Sequence, residues 1–242
     1  MNLVEKNFSA GAAAYDRVVR IQPLVASRLA AEIHGSPMRI LEIGCGTGCL
    51  SIHLAERFPN AELILTDIAA PMLEACKEKL GGKGVFKIMD GERLDASLGH
   101  FDLITSSLTM QWFEDLPEAI RRLAQLLMPG GQLAFSTLGK KNFIEWRNLL
   151  EKYNLLSGLH EYPDATKFPW PAGFGGRVRE EFVKEVHTSG AAFLKTLKAM
   201  GAGAPRTGYK PSSAPELRRL LSASTAGFVA TYHILYGSLT VD

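Results

Sequence analysis

Ile40-Leu-Glu-Ile-Gly-Cys-Gly-Thr-Gly48 decides how the rest of the chain is read, because an apolar run passes there into a loop with glycine at every second position. Residues 38–43 predict a buried strand. Gly44, Gly46 and Gly48 permit the positive φ and close backbone approach that a strand-to-helix crossover beside a ligand needs. Leu50, Ile52, Leu54, Ala55 and Phe58 then keep the three-and-four spacing of a helix packed on a sheet. The free N–H groups and dipole end of that helix would face the loop and any negative group bound there. Dinucleotide folds space their glycines as G-x-G-x-x-G. Here the last glycine comes one residue early, and Glu42 stands two residues before the first. A nicotinamide oxidoreductase is therefore disfavoured, while a non-catalytic module that keeps the fold stays open.

The 242 residues suit one α/β domain that buries roughly 70% of its unfolded surface. With 46% hydrophobic residues and a mean hydropathy of +0.02 the composition is globular, and no apolar run approaches the roughly 18 residues of a membrane span. Met1-Asn-Leu-Val-Glu-Lys6 lacks the apolar stretch of a signal peptide, so the expectation is a cytoplasmic protein without a membrane partner. Cys45, Cys49 and Cys76 suit neither a disulfide framework nor a structural zinc site, and the six histidines show no ligand spacing; no metal is expected. A net charge of +2 is too mild to argue for nucleic acid.

Along the chain, helical pieces at 10–19 and 23–33 precede the first strand. Tyr15, beside Asp16, is their notable polar aromatic. Residues 61–67 form a second strand ending at Asp67, nineteen residues beyond Gly48, where an acidic side chain at a strand tip reaches the hydroxyls of a ribose. Asp67 can equally cap the helix at 71–80. A third strand, 85–89, runs into Asp90-Gly91, and a fourth, 101–106, into Gln111, Trp112 and Phe113, where cleft and core positions are equally open. A helix from Pro117 ends at Pro129-Gly-Gly131, and 132–138 is the fifth strand. After it the alternation stops: 142–156 predict an amphipathic helix, 157–178 a Pro- and Gly-rich loop, 181–187 a strand, 191–200 and 215–221 helices, and 228–237 a last strand.

Glu42-x-Gly-x-Gly-x-Gly48 resembles the cofactor motif of class I S-adenosylmethionine-dependent methyltransferases, and Met128-Pro-Gly-Gly131 resembles the turn before their fifth strand. The resemblance implies an α/β, doubly wound, seven-stranded Rossmann-like sheet, mostly parallel with the last strand antiparallel beside the fifth. The chain reads as a single domain over 1–242: an N-terminal helical cover (1–35), a cofactor-binding half (36–138), an insertion (139–180) that is either a cap selecting the acceptor or a mobile surface loop, and C-terminal strands and helices (181–242). The resemblance also implies cofactor-binding roles: Glu42, Gly44, Cys45, Gly46, Thr47 and Gly48 at the amino-acid end, Asp67 at the ribose, Asp90 and Gly91 at the adenine, with Ile68, Met72 and Ser106 completing the set. The product would be S-adenosyl-L-homocysteine.

Matching segments run almost the whole length: Phe8 with Tyr15-Asp16, Thr109-Met-Gln-Trp112, Phe135-Ser-Thr-Leu138, Leu197-Lys-Ala-Met-Gly-Ala202 and Thr231-Tyr-His-Ile-Leu-Tyr-Gly237. These resemble the malonyl-[acyl-carrier protein] O-methyltransferases of biotin synthesis, which esterify the free carboxylate of a malonyl thioester. A carboxylate of solution pKa near 4 is already a nucleophile, so no general base is expected. Tyr15, Gln111 and Arg147 are the candidates for positioning its second oxygen. Between Arg177 and Arg219 nine Lys or Arg face four Asp or Glu, and Lys195 with Lys198, one helical turn apart, could dock an acidic malonyl-carrier protein. A free small dicarboxylic acid is the alternative acceptor. The loops 157–178 and 203–213 match nothing.

Overall fold

The computed structural model describes residues 3–94, 96–225 and 227–241. Its strands are β1 (Arg39–Ile43), β2 (Glu62–Asp67), β3 (Val85–Ile88), β4 (Phe101–Ser107), β5 (Leu127–Leu138), β6 (Arg177–His187) and β7 (Phe228–Thr240). They form one sheet in the order β3-β2-β1-β4-β5-β7-β6. β1 to β5 pair in parallel, and β7 runs antiparallel to both its neighbours, β5 and β6. β1 pairs with β2 on one side and β4 on the other. The connections out of β1 and β2 therefore diverge from the one into β4, and a crevice opens at the carboxyl ends of β1 and β4.

The helices are α1 (Leu3–Val18), α2 (Ile21–Ala31), α3 (Ser51–Arg57), α4 (Ala70–Lys79), α5 (Leu116–Gln125), α6 (Ile144–Lys152), α7 (Gly190–Ala199) and α8 (Ala214–Ser222). Strand alternation divides the core between two faces. Ile40, Leu63, Leu65 and Leu103 pack with Val25 and Leu29 of α2, Leu54 of α3 and Phe193 of α7. Leu41, Ile64, Ile104 and Leu133, one residue along each strand, pack with Ile120 and Leu123 of α5. β7 joins both clusters, Ile234 and Tyr236 on one face and Leu235 and Leu239 on the other.

Several boundaries differ from the sequence reading. α1 begins by Leu3 rather than at Ala10, and its early residues pack over the site. α5 stops at Gln125, capped by Leu126, and Met128-Pro-Gly-Gly131 lies inside β5 rather than ending the helix. A register shift against β4 absorbs these residues, while Gly130 N–H donates to Val241 O at 2.8 Å and Val241 N–H to Gly131 O at 3.1 Å. Proline costs nothing in such an irregular, exposed stretch. β6 starts at Arg177, four residues before the expected Glu181. Its charged beginning hides the strand, because Arg179 pairs with Glu32 and Glu181 with Arg28 on the cover helices rather than alternating apolar residues.

Candidate functional site

The crevice at the ends of β1, β2 and β4 opens into a cavity of about 1130 Å³. Glu42, the fourth residue of β1, is 1% exposed at its wall and accepts a 2.6 Å hydrogen bond from Ser51 Oγ. Burial pushes its carboxyl up to about 8, with Cys76 and Asp67 adding to the rise and Ser51 opposing it. The loop that follows is left-handed at each glycine, φ +66° at Gly44, +54° at Gly46 and +89° at Gly48. A side chain at Gly44 would strike Thr109 at 2.3 Å, so the loop is pressed against the segment leaving β4. A Cβ at Gly46 would meet nothing within 4 Å, so at that point bare backbone faces the cavity. Cys45 and Thr47 line the same wall, and the Thr47 hydroxyl donates to Asp16 at 2.5 Å. Gly48 departs from its expected role. It is not a lining residue; a Cβ there would come within 3.1 Å of the Cys76 sulfur, so its absence lets the loop lie close against α4.

Asp67 ends β2 at 8% exposure. Its Oδ2 accepts from Gly46 N–H at 2.9 Å and its Oδ1 from Ala69 N–H at 2.8 Å. Burial raises its pKa, and the Ala69, Gly46 and Ile68 amides oppose that rise. The helix cap is Ala69 rather than Asp67, so the carboxylate braces the glycine loop and keeps further lone pairs for a ligand. Ile68 and Met72 continue the wall. Asp90 and Gly91 close the far end, where the Asp90 carboxylate accepts from Glu92 N–H at 3.0 Å. Ser106 is a correction: its hydroxyl donates to Ile43 O at 2.9 Å inside the sheet, and Ser107 lines the cavity instead. β4 ends one residue later than expected, and a one-residue step moves a side chain to the opposite face.

A second, more apolar cavity of about 890 Å³ lies beside the first. Phe8, Tyr15, Gln22, Trp112, His160 and Tyr209 are among the side chains that line both. The Trp112 indole meets Phe8 and His160 edge-on at 5.6 and 5.2 Å, so Trp112 is a cleft residue, not core. Tyr15 is half-buried, and burial, then Cys49, Asp67 and Asp16, raise its pKa, keeping its phenol protonated. Gln111 lines the second cavity, but its Nε2 donates to Leu108 O at 2.6 Å, so one of the two N–H groups that would grip a carboxylate is engaged. Arg147 is not where the sequence reading placed it. It lines neither cavity; Nε donates to Asn142 O at 3.0 Å and Nη2 to His160 O at 3.2 Å, tying α6 to the loop beyond.

Sequence reasoning gave no account of how the two unmatched loops meet. Arg206 N–H donates to Gly158 O at 2.9 Å, Arg206 Nε to Ser157 O at 3.2 Å, and His160 Nε2 lies 3.1 Å from Ala204 O. Together 157–162 and 203–209 roof the junction. Gln22 and His160 were also missed. The one sequence signal for Gln22 is a polar residue at the head of an apolar helix. Lys195 and Lys198 are both exposed on α7, and Lys198 sits on the wall of the second cavity.

The residues present fit S-adenosylmethionine. A buried carboxyl stands beside a bare-backbone loop, a second carboxylate lies at the next strand tip, and a third lies beside a glycine packed on Ile43 and Phe113. The methyltransferase-domain family matches residues 40–131. The chain is 43% identical to a malonyl-[acyl-carrier protein] O-methyltransferase of Magnetococcus marinus, over 98% of this chain and 92% of that one. It is 39% identical to the biotin biosynthesis bifunctional protein BioCD of Bordetella avium, over 97% of this chain and 51% of that protein. Among solved structures, the YcgJ protein of Bacillus subtilis shares the fold with a TM-score of 0.59 at 16% identity, covering 90% of this chain and 99% of that one. The N-methyltransferase NodS of Bradyrhizobium japonicum, in complex with S-adenosyl-L-homocysteine, does so with a TM-score of 0.51 at 15% identity, covering 96% and 98%. With a crevice built for this cofactor and near-full-length relatives of one kind, the chain belongs to the malonyl-[acyl-carrier protein] O-methyltransferase family of S-adenosylmethionine-dependent methyltransferases.

Proposed function

We propose that the protein esterifies the free carboxylate of a malonyl thioester borne by an acyl-carrier protein, as an early step of biotin synthesis in the cytoplasm. The observation that carries the reading is the junction of a polar, carboxylate-lined cavity with a larger-than-malonyl apolar one across Tyr15 and Trp112. When bound, S-adenosylmethionine supplies the methyl group: the carboxylate oxygen takes it as the C–S bond breaks, the electron pair stays on sulfur, and no proton changes hands. Glu42 and the Gly44–Thr47 backbone hold the amino-acid end, Asp67 the ribose, and Asp90 with Gly91 the base. The acceptor carboxylate is ionised at neutral pH, so the protein's task is alignment, an effect that supplies up to about 7–11 kcal/mol. Tyr15 offers a neutral donor at the junction.

The insertion 139–180 acts as the acceptor cap, since its Phe143, Trp146, Leu159, His160 and Tyr162 line the apolar cavity. Residues from α7 and α8, Lys198 and Leu217 among them, add to the lining of that cavity, whose volume of about 890 Å³ suits an acyl-bearing arm better than a free dicarboxylate. Lys195 and Lys198 mark where the acidic carrier docks. The test is release of S-adenosylhomocysteine with malonyl-carrier protein, malonyl-CoA and free dicarboxylates side by side. Malonyl-carrier protein should give the highest kcat/KM, and a free dicarboxylate matching it would replace this reading with the small-acid one.

A further inference from the structure

Carboxylate methylation needs a grip on the oxygen that is not methylated, and the two expected donors are poorly placed for it: Gln111 lines only the second cavity and gives one N–H to the Leu108 carbonyl, and Arg147 lines neither cavity and gives Nε and Nη2 to the carbonyls of Asn142 and His160. The polar side chains in the wall shared by the two cavities include Tyr15, Gln22, Trp112, His160 and Tyr209, with no lysine or arginine among the shared lining residues. His160 meets the Ala204 carbonyl through Nε2, so that nitrogen is already committed. Gln22 differs from all of these. It lies in the first turn of α2, and among the described residues its carboxamide –NH₂ meets the Met200 thioether at 3.5 Å. Its Oε1, like that of Gln111, is buried with no hydrogen-bond partner among the described residues, but Gln22 lines both cavities whereas Gln111 lines only the second. A thioether is a weak acceptor, so little holds this amide in place. A half-turn about its last torsion exchanges the two ends and offers –NH₂ in place of the orphaned oxygen.

We propose that the Gln22 carboxamide is an acceptor-binding group that, with the Tyr15 hydroxyl, donates to the non-attacking oxygen of the substrate carboxylate. The proposal rests on the carboxyl-methylation reading and adds a reason for the wall's neutrality. Attack on a sulfonium joins an anion to a cation. A guanidinium bridging both carboxylate oxygens would hold back the lone pair that must form the new O–C bond. Neutral donors on one oxygen offset part of the desolvation of the carboxylate and leave the other oxygen free. They also reject an uncharged acyl group of the same shape, because such a group leaves the donors unsatisfied.

The test compares wild type with Gln22→Met, which keeps length without donors, and Gln22→Glu, which keeps shape and adds a like charge. Substrate is malonyl-carrier protein, and the competitive inhibitor is isovaleryl-carrier protein, in which a branched methyl pair stands for the carboxylate. Gln22→Met should raise KM for malonyl-carrier protein about tenfold. Its isovaleryl inhibition constant, S-adenosylhomocysteine affinity and melting temperature should stay within about twofold or a few degrees of wild type. Gln22→Glu should lose about a hundredfold or more in kcat/KM. If Gln22→Met keeps kcat/KM within twofold, or weakens malonyl and isovaleryl binding alike, Gln22 is a wall residue and the proposal is overturned. If wild type esterifies no malonyl thioester, the functional reading has failed and the proposal falls with it, a result seen before any variant is made.

Discussion

Glu42 should make cofactor binding release a proton. Its carboxyl is 1% exposed, and burial lifts its pKa from 4.5 to about 8, so at pH 7 the free protein holds it about nine-tenths protonated. The amino-acid end of the ligand brings an ammonium to this wall and favours the carboxylate, so binding at pH 7 should expel about 0.9 proton. Below pH 8, affinity should fall up to tenfold per pH unit, about 1.4 kcal/mol each, until the bound-state pKa is reached. Titrating S-adenosylhomocysteine calorimetrically in two buffers of equal pH and different ionisation enthalpy reads the proton directly. Glu42→Gln should abolish the difference. The same shift has a stability consequence. Between pH 4.5 and 8 the folded chain keeps a proton that the unfolded chain gives up, so the unfolded state binds fewer protons and stability falls as pH rises through that window. The ceiling on that loss is on the order of 5 kcal/mol, so ligand-free Glu42→Gln should melt higher than wild type at pH 8 and about equally at pH 5. Buffer-independent binding enthalpy in wild type would refute the argument, because it would mean that Glu42 is already ionised or never meets the ammonium.

Asp67→Ala removes a carboxylate whose charge-assisted hydrogen bonds are worth about 1.5–3 kcal/mol each, so S-adenosylhomocysteine affinity should drop at least tenfold by calorimetry; unchanged affinity would end the ribose assignment. Its bonds to Gly46 and Ala69 also disappear, so the melting temperature should fall as well. With both substrates saturating, the single-turnover rate should stay flat within about twofold from about pH 6.5 to 8.5, whereas a tenfold rise per unit would mark a hydroxyl or amine acceptor. For carrier docking, Lys195→Glu is the cleaner probe because Lys198 also lines the acceptor cavity. It should slow association of malonyl-carrier protein, spare malonyl-CoA and matter less at 1 M salt, where the screening length shrinks from about 8 to about 3 Å; equal loss on both substrates would make it a fold or cap residue.

The cofactor half was legible because its constraints act within a few residues. Positive φ at Gly44 and Gly46 and a carboxylate two residues earlier are demands of one strand-loop crossover, written consecutively in the chain. Strand length was not local in that sense. Ser106 and Ser107 look alike in sequence, and only the register of β4 against β1 decides which faces the crevice. β6 was shortened because its first residues form ion pairs with Arg28 of α2 and Glu32 at the end of that helix, some 150 positions away, which no period-two pattern announces.

The acceptor half belongs wholly to that second kind. Its roof forms where 157–160 meets 204–206 through bonds that all end on main-chain carbonyls, and carbonyl oxygens carry no residue identity for a sequence to display. Other carbonyls bear on two polar candidates: Arg147 and Gln111 are chemically apt for a carboxylate, yet Arg147 gives Nε and Nη2, and Gln111 an Nε2 hydrogen, to main-chain oxygens of their own neighbourhood. Gln22, less conspicuous in sequence, meets a weakly accepting sulfur where those residues meet carbonyls, and so keeps more of its donor capacity. For an anionic substrate, the residue type nominates a group, but the competition from nearby backbone acceptors decides which nominated group is free to bind.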